Sequence, residues 1–222
     1  MPQPDIAYDT QTYRENLARQ VPGMGDLRRM VGVLLAERVP ESGRVLVVGA
    51  GGGLEVRALA EGWPGWRFEG VDPSREMLGL ARETLGELVS RVELVEGYVD
   101  DAGAGPFDGA VCLLVLHFLK REERLRTLRS MAERLAPGAP LVVMHHSFDE
   151  DGPWLRRYAR YQQASGIPVE QSTKMAEVIA ERLPALSPAE DEALLREAGF
   201  ESVEMFYAAF SFRGWVAYRR SG

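Results

Sequence analysis

Apolar positions along this 222-residue chain follow two periods, and the alternation between them predicts the fold. Short apolar runs at 45–49, 66–71, 92–95, 109–114 and 140–144 read as buried strands. Residues 54–61, 74–85 and 121–135 lie between them with helical spacing, Ser74 capping the second helix and Pro137-Gly138 closing the third. Two helices precede the first strand, at 10–20 and 24–38, broken at Pro22-Gly23; Leu27, Met30, Val31, Leu34 and Leu35 form one face of the second. After the fifth strand the pattern changes. Residues 147–184 hold two predicted helices, 154–164 and 169–182, rich in Trp, Tyr and Met. A last helix at 189–198 stops at Gly199, and strands at 202–208 and 211–218 follow with too little chain between them for a crossover, so they pair antiparallel.

Strands alternating with helices predict one α/β domain over 1–222. Its architecture is a doubly wound, mostly parallel seven-stranded sheet, Rossmann-like, with an antiparallel C-terminal hairpin strand. Helices 10–38 precede it and 147–184 form a helical insertion.

Composition narrows the function. The hydrophobic fraction of 45% suffices for a packed core, and no apolar run approaches the roughly 20 residues that span a bilayer. The start, MPQPDIAYDTQTY, lacks the basic and apolar regions of a signal peptide, and with one cysteine the expected location is cytoplasmic. Cys112 falls inside an apolar run and is expected to be a packing residue. A formal charge of −7 argues against broad nucleic-acid binding. Arg156, Arg157 and Arg160 cluster within about a turn but follow Asp149, Glu150 and Asp151, so they read as a solvated helix face.

The chemistry concentrates at RVLVVGAGGGLE, residues 44–55, and at Asp72 in EGVDPS. Gly49, Gly51 and Gly53 turn the first strand into a helix, and glycine there lets a ligand approach the backbone. Asp72 ends the second strand beside that turn, where a carboxylate can accept both hydroxyls of a ribose. A dinucleotide fingerprint wants glycine or alanine five residues after Gly49, where helix and strand pack closely. That position is Leu54, and the glycines instead spell G-x-G-x-G.

This pattern, with GVDPSREML, EGYVDD, FDGAVCLLVLHFL, AERLAPGAPLVV and EAGFESVEMF, resembles the class I S-adenosylmethionine-dependent methyltransferases over nearly the whole chain. VPGMGDLRRMVGVLLAERV, HFLKREERLRTL and AGFESVEMFYAAFSFRGWVAYR are similar to one branch, the carboxy-S-adenosylmethionine synthases of tRNA uridine modification. The resemblance implies S-adenosyl-L-methionine as cofactor. The expected cofactor residues are Gly49, Ala50, Gly51, Gly53, Asp72, Pro73, Tyr98, Val99 and Leu113. The chain departs from the family at Val47, where many members carry an acid for the methionine amino end. It departs again at Tyr98-Val99, where many carry an adenine-binding Asp; Asp100 or Asp101 is the candidate substitute. The synthase branch pairs its extra carboxylate with an arginine after strand five, where QSTKMAE offers only Lys174.

Methyl transfer from a sulfonium needs alignment and exclusion of water, and a base only when the acceptor must lose a proton early. His117, after strand four, and the adjacent His145 and His146, ending strand five, are the candidate catalytic residues. Adjacent strand residues face opposite ways, so at most one of the pair looks into the cleft. No further His or Cys completes a zinc site at plausible spacing. Trp154, Tyr158 and Tyr161 at helical spacing form either a core stripe or an aromatic lid, and Tyr13 is a candidate to close over the methionine end. The expected function is methylation of a small-molecule acceptor, with a homodimer as a further expectation. Carboxy-S-adenosylmethionine synthesis and non-catalytic cofactor binding are the alternatives.

Overall fold

The computed structural model describes residues 13–149 and 152–221, and side chains from residue 17 onward. The helix start expected at 10 and the Tyr13 side chain lie outside the described residues. Helices α1 (Tyr13–Gln20) and α2 (Met24–Ala36) lead into the sheet. Strands β1 (Arg44–Val48), β2 (Arg67–Asp72), β3 (Val92–Glu96), β4 (Gly109–Leu113) and β5 (Pro140–His146) are parallel. Helices α3 (Leu54–Gly62), α4 (Arg75–Leu85) and α5 (Arg121–Arg134) connect them. The order is β3-β2-β1-β4-β5-β7-β6, with β7 (Phe212–Arg219) antiparallel to both β5 and β6 (Phe200–Ala209). The chain reverses direction at β1, so the carboxyl edge of β1 and β4 is where an open α/β sheet presents a crevice.

Local chemistry explains the boundaries. The Ser74 hydroxyl accepts the Met77 N–H and starts α4. Ser187 and Glu190 form a capping box ahead of α8 (Pro188–Glu197), with Pro188 in its first turn. Strand β5 runs two residues beyond its expected end, because Arg213 and Phe212 of β7 supply partners to His145 and His146. The helices of the insertion, α6 (Trp154–Ala164) and α7 (Val169–Arg182), have the expected bounds. Alternate strand residues feed two apolar clusters, one on each face of the sheet: Val45, Val47 and Met144 pack towards α2 and α3, whereas Leu46, Cys112 and Val143 pack towards α5 and α8. Cys112 is fully buried, and burial pushes its thiol up to about 12, so it remains a protonated packing residue.

Among the described residues no helix is long and apolar enough to cross a membrane. Helix α7 buries only Ser172 and Ile179 and leans chiefly on α6. Residues 169–182 are therefore expected to exchange amide hydrogens orders of magnitude faster than 140–146, measurable by hydrogen-exchange mass spectrometry. If they cover an acceptor, ligand should slow them. Equal protection of the two segments would contradict this ranking.

Candidate active site

The strands end together on one edge: Asp72 lies opposite Glu96, Val48 opposite Val71 and Cys112, and Leu113 opposite Met144. There Gly49 and Ala50 both donate to the Val71 carbonyl, at 2.9 and 3.0 Å, folding the glycine turn back over β2. Asp72 completes the clamp. Its Oδ2 accepts the Gly51 N–H and its Oδ1 the Ser74 N–H, each at 2.9 Å. Burial raises the Asp72 pKa, and these two N–H donors oppose it. Each carboxylate oxygen retains a second lone pair able to accept a further hydrogen bond.

The glycines answer to more than ligand access. Gly49, Gly51 and Gly53 have φ of 75°, 45° and 78°, a region where side chains are strained. A Cβ on Gly49 would also sit 2.2 Å from Val115, and one on Gly53 2.9 Å from the α4 backbone at Ala81. Two of the three glycines are thus demanded by packing in the protein itself, which sequence reasoning had assigned to the ligand.

Around this turn, Val47 is core and supplies no charge. A half-buried pair that the sequence did not reveal lies beside the turn instead: Glu55, in the first turn of α3, accepts from Arg28 Nε and Nη2 of α2 at 3.2 and 3.1 Å. After β3, Gly97 donates to the Asp72 carbonyl, Tyr98 is partly exposed and Val99 is buried. Asp101 Oδ2 accepts the Tyr98 N–H at 2.8 Å, and Asp100 Oδ1 accepts from Ser130 at 2.5 Å. Both candidate adenine acids are therefore engaged in holding this turn. Pro73 is half-buried beside Asp72, and Leu113 is buried at the end of β4. Leu114 follows with φ 61°, its N–H bonded to the Met144 carbonyl at 2.6 Å. A non-glycine residue held in that region marks a backbone fixed by its surroundings.

All three histidines are buried. His117 Nδ1 accepts the His146 backbone N–H at 3.1 Å, tying the turn after β4 to β5. His146 stacks on Phe212 at 4.0 Å, and its Nδ1 lies 2.9 Å from the Ser211 hydroxyl. His145 points to the other face, with Nε2 3.1 Å from Asp191, which also holds Arg124 at 2.5 Å. Burial and the neighbouring histidines hold His117 well below its ordinary pKa and bring His146 down to about 3. Both are neutral at physiological pH, and their bonds are those of a structural brace.

Tyr158 is buried against His146 and Phe212 and accepts from Gln162 at 2.9 Å, a packing position. Trp154 is half-buried at the start of α6, with the guanidinium groups of Arg157 and Arg213 each 5.0 Å from its ring. Arg213 was not singled out from sequence; its only sign was a basic residue inside the apolar run SFRGWVAY. Lys174 is exposed on α7.

Residues 46–141 match the family model described as a methyltransferase domain. The carboxy-S-adenosyl-L-methionine synthase of Chromohalobacter salexigens is 29% identical over 216 residues, spanning 93% of this chain and 80% of that protein. Among solved structures, a putative O-methyltransferase from Nostoc punctiforme superposes with a TM-score of 0.69 at 20% identity, covering 95% of this chain and 59% of that one. The magnesium protoporphyrin IX methyltransferase of Synechocystis, solved with bound SAH, gives 0.63 at 20%, covering 89% and 83%. The chain shares the fold of these methyltransferases, and over residues 46–141 it matches the methyltransferase domain model. Its sequence is similar to the carboxy-S-adenosyl-L-methionine synthases.

Proposed function

We propose that this protein is an S-adenosylmethionine-dependent methyltransferase acting on a small-molecule acceptor. The observation that carries the reading is the Asp72 carboxylate, fixed at 2.9 Å to Gly51 and Ser74 at the open edge of β1 and β2. The ribose hydroxyls take its two remaining lone pairs. Tyr98, Val99 and Leu113 border the adenine, and Gly49–Gly53 with Ala50 face the methionine end. Arg28 and Glu55 stand where Val47 offers nothing: the guanidinium suits the methionine carboxylate and Glu55 its ammonium. The cofactor supplies an activated methyl group on a sulfonium. The chain's part is to bring the acceptor into line and shut out water, and the 147–184 segment, with Trp154 and Tyr158, encloses it.

His117, His145 and His146 serve in this reading as positioning residues. A proton-accepting base must contact the acceptor and titrate near working pH, and His117 and His146 are buried and held below their ordinary pKa. The chain therefore suits an acceptor that needs no histidine base. The carboxy-S-adenosylmethionine synthase alternative is favoured by the 29% relative and weakened by Lys174, which is exposed and makes only a point-charge contact.

Mass spectrometry of small molecules released on denaturing the purified protein tests the reading. S-adenosylmethionine or S-adenosylhomocysteine is expected. A carboxylated derivative would favour the synthase, and no ligand with no titratable binding would remove the enzymatic reading.

A further inference from the structure

Among the described residues, buried charges have identifiable partners, with one exception. Arg124 has Asp191, Glu69 has Arg44 and the Gly103 N–H, and Asp72 has two backbone donors. Arg213 is only 9% exposed, yet no acid among the described residues lies within ion-pair distance of it. Its Nη1 donates to the carbonyls of Phe210 and Phe212 at 2.7 Å each, which fixes the side chain. Its Nε and Nη2 bond to no described residue. Burial lowers its pKa, and the charge of Asp149 works the other way from the loop after β5.

A second cation stands beside it. Arg157 and Arg213 each place Cζ 5.0 Å from the Trp154 ring centroid, so the two guanidinium groups are at most twice that distance apart. Arg157 likewise has no ion pair among the described residues. Cation–π contact offsets part of the cost of gathering two positive charges around one indole, and an anion would offset more. The location is informative. Arg213 pairs with His145 at the carboxyl edge of the sheet, on β7. Three strand spacings separate β7 from β1, about 14 Å, so Arg213 stands away from the glycine turn, beside Trp154 at the start of α6.

We propose that Arg213, Trp154 and Arg157 form a subsite for a carboxylate on the molecule that fills the acceptor end of the cleft. The free edge of a fixed guanidinium matches a planar carboxylate, and the indole offers an apolar surface to the group that bears it. The proposal deepens the methyltransferase reading, and rests on it only for the identity of the cleft. The carboxylate belongs either to the acceptor or to a carboxylated cofactor.

Benzoate and benzamide, titrated into both ligand-free protein and protein saturated with S-adenosylhomocysteine, test it. Wild type should bind benzoate about tenfold or more tighter than benzamide. Arg213→Gln and Arg157→Gln should each remove most of that preference, and Arg213→Lys should keep only part of it. Equal binding of the two probes by wild type, or a preference that survives Arg213→Gln, overturns the subsite. Melting curves check folding, and if Arg213→Gln does not fold, Arg213→Lys and the exposed Arg157→Gln decide. Comparing S-adenosylmethionine with its carboxylated derivative separates the sources. A tighter carboxylated form that loses its advantage in Arg213→Gln assigns the carboxylate to the cofactor; equal binding alongside a benzoate preference assigns it to the acceptor. Failure of S-adenosylhomocysteine to bind wild type would defeat the cofactor reading alone, and the ligand-free benzoate comparison would still decide the subsite.

Discussion

Replacing Asp191 with alanine is expected to destabilise the fold by about 3–5 kcal/mol, because Arg124 would be left as an uncompensated buried charge. Arg124 is fully buried, and its guanidinium spans Asp191 and the Pro184 carbonyl, joining α5 to the segment that leads into α8. Asp191 is itself held below its ordinary pKa: burial pushes it up, but His145 and Arg124 outweigh that. For a chain of this size each kcal/mol moves the melting temperature by roughly 2–4 °C, so a loss of about 10 °C or more is expected. Replacing both partners, as Arg124→Met with Asp191→Leu, should recover much of it, since a hydrophobic pair carries no desolvation penalty. A single-variant loss below about 1 kcal/mol by urea unfolding would show that the pair is solvated in the folded protein.

Acid should weaken the fold before most carboxylates titrate. In the unfolded chain a histidine binds its proton near pH 6.5, whereas His146 in the fold resists until about pH 3 and His117 is also held far down. The unfolded state therefore takes up protons that the folded state refuses. Stability contributed by these neutral histidines is complete above about pH 6.5 and falls as pH drops, by about 1.4 kcal/mol per pH unit for each. Between pH 6.5 and 5 the two together remove about 3 kcal/mol. Asp191, with its lowered pKa, adds a loss of the same sign in the carboxylate range, and Asp72, with its raised pKa, opposes it there. Urea midpoints measured from pH 8 to 5 check this. His146→Gln should flatten the slope by about half, whatever it does to stability at pH 8. A stability profile level from pH 7 to 5 would contradict the burial of both rings.

What the sequence disclosed, and what it did not, divides along contact distance. Val45–Val48, the glycine turn, Asp72 and the Ser74 cap are local patterns, each decided within a few residues, and each stands where expected. The helices at 154–164 and 169–182 are likewise fixed by their own periodicity and by the Ser165-Gly166 break. Strand parity alone placed His145 and His146 on opposite faces. Partners that meet only after folding were invisible: Arg124 and Asp191 are 67 positions apart, and Arg28 and Glu55 are 27. The apolar run marks β5 only to Met144, and the pairing that carries it through His145 and His146 comes from β7, more than 60 positions on. Asp100 and Asp101 looked available for adenine, but Ser130, 30 positions further on, and the nearby Tyr98 N–H engage them. Trp154 packs half-buried against the core with Arg213 5.0 Å from its ring, a contact that no periodicity signals.

The central claim is that this edge of the sheet binds S-adenosylmethionine through Asp72. Isothermal calorimetry with S-adenosylhomocysteine on wild type and Asp72→Ala tests it most directly, with NAD titrated in parallel. The account predicts binding to wild type and none of NAD. It also predicts affinity weakened about 10- to 100-fold in Asp72→Ala, as two buried ribose donors lose their acceptor. Unchanged affinity in the variant, or a wild type that prefers NAD, would contradict it.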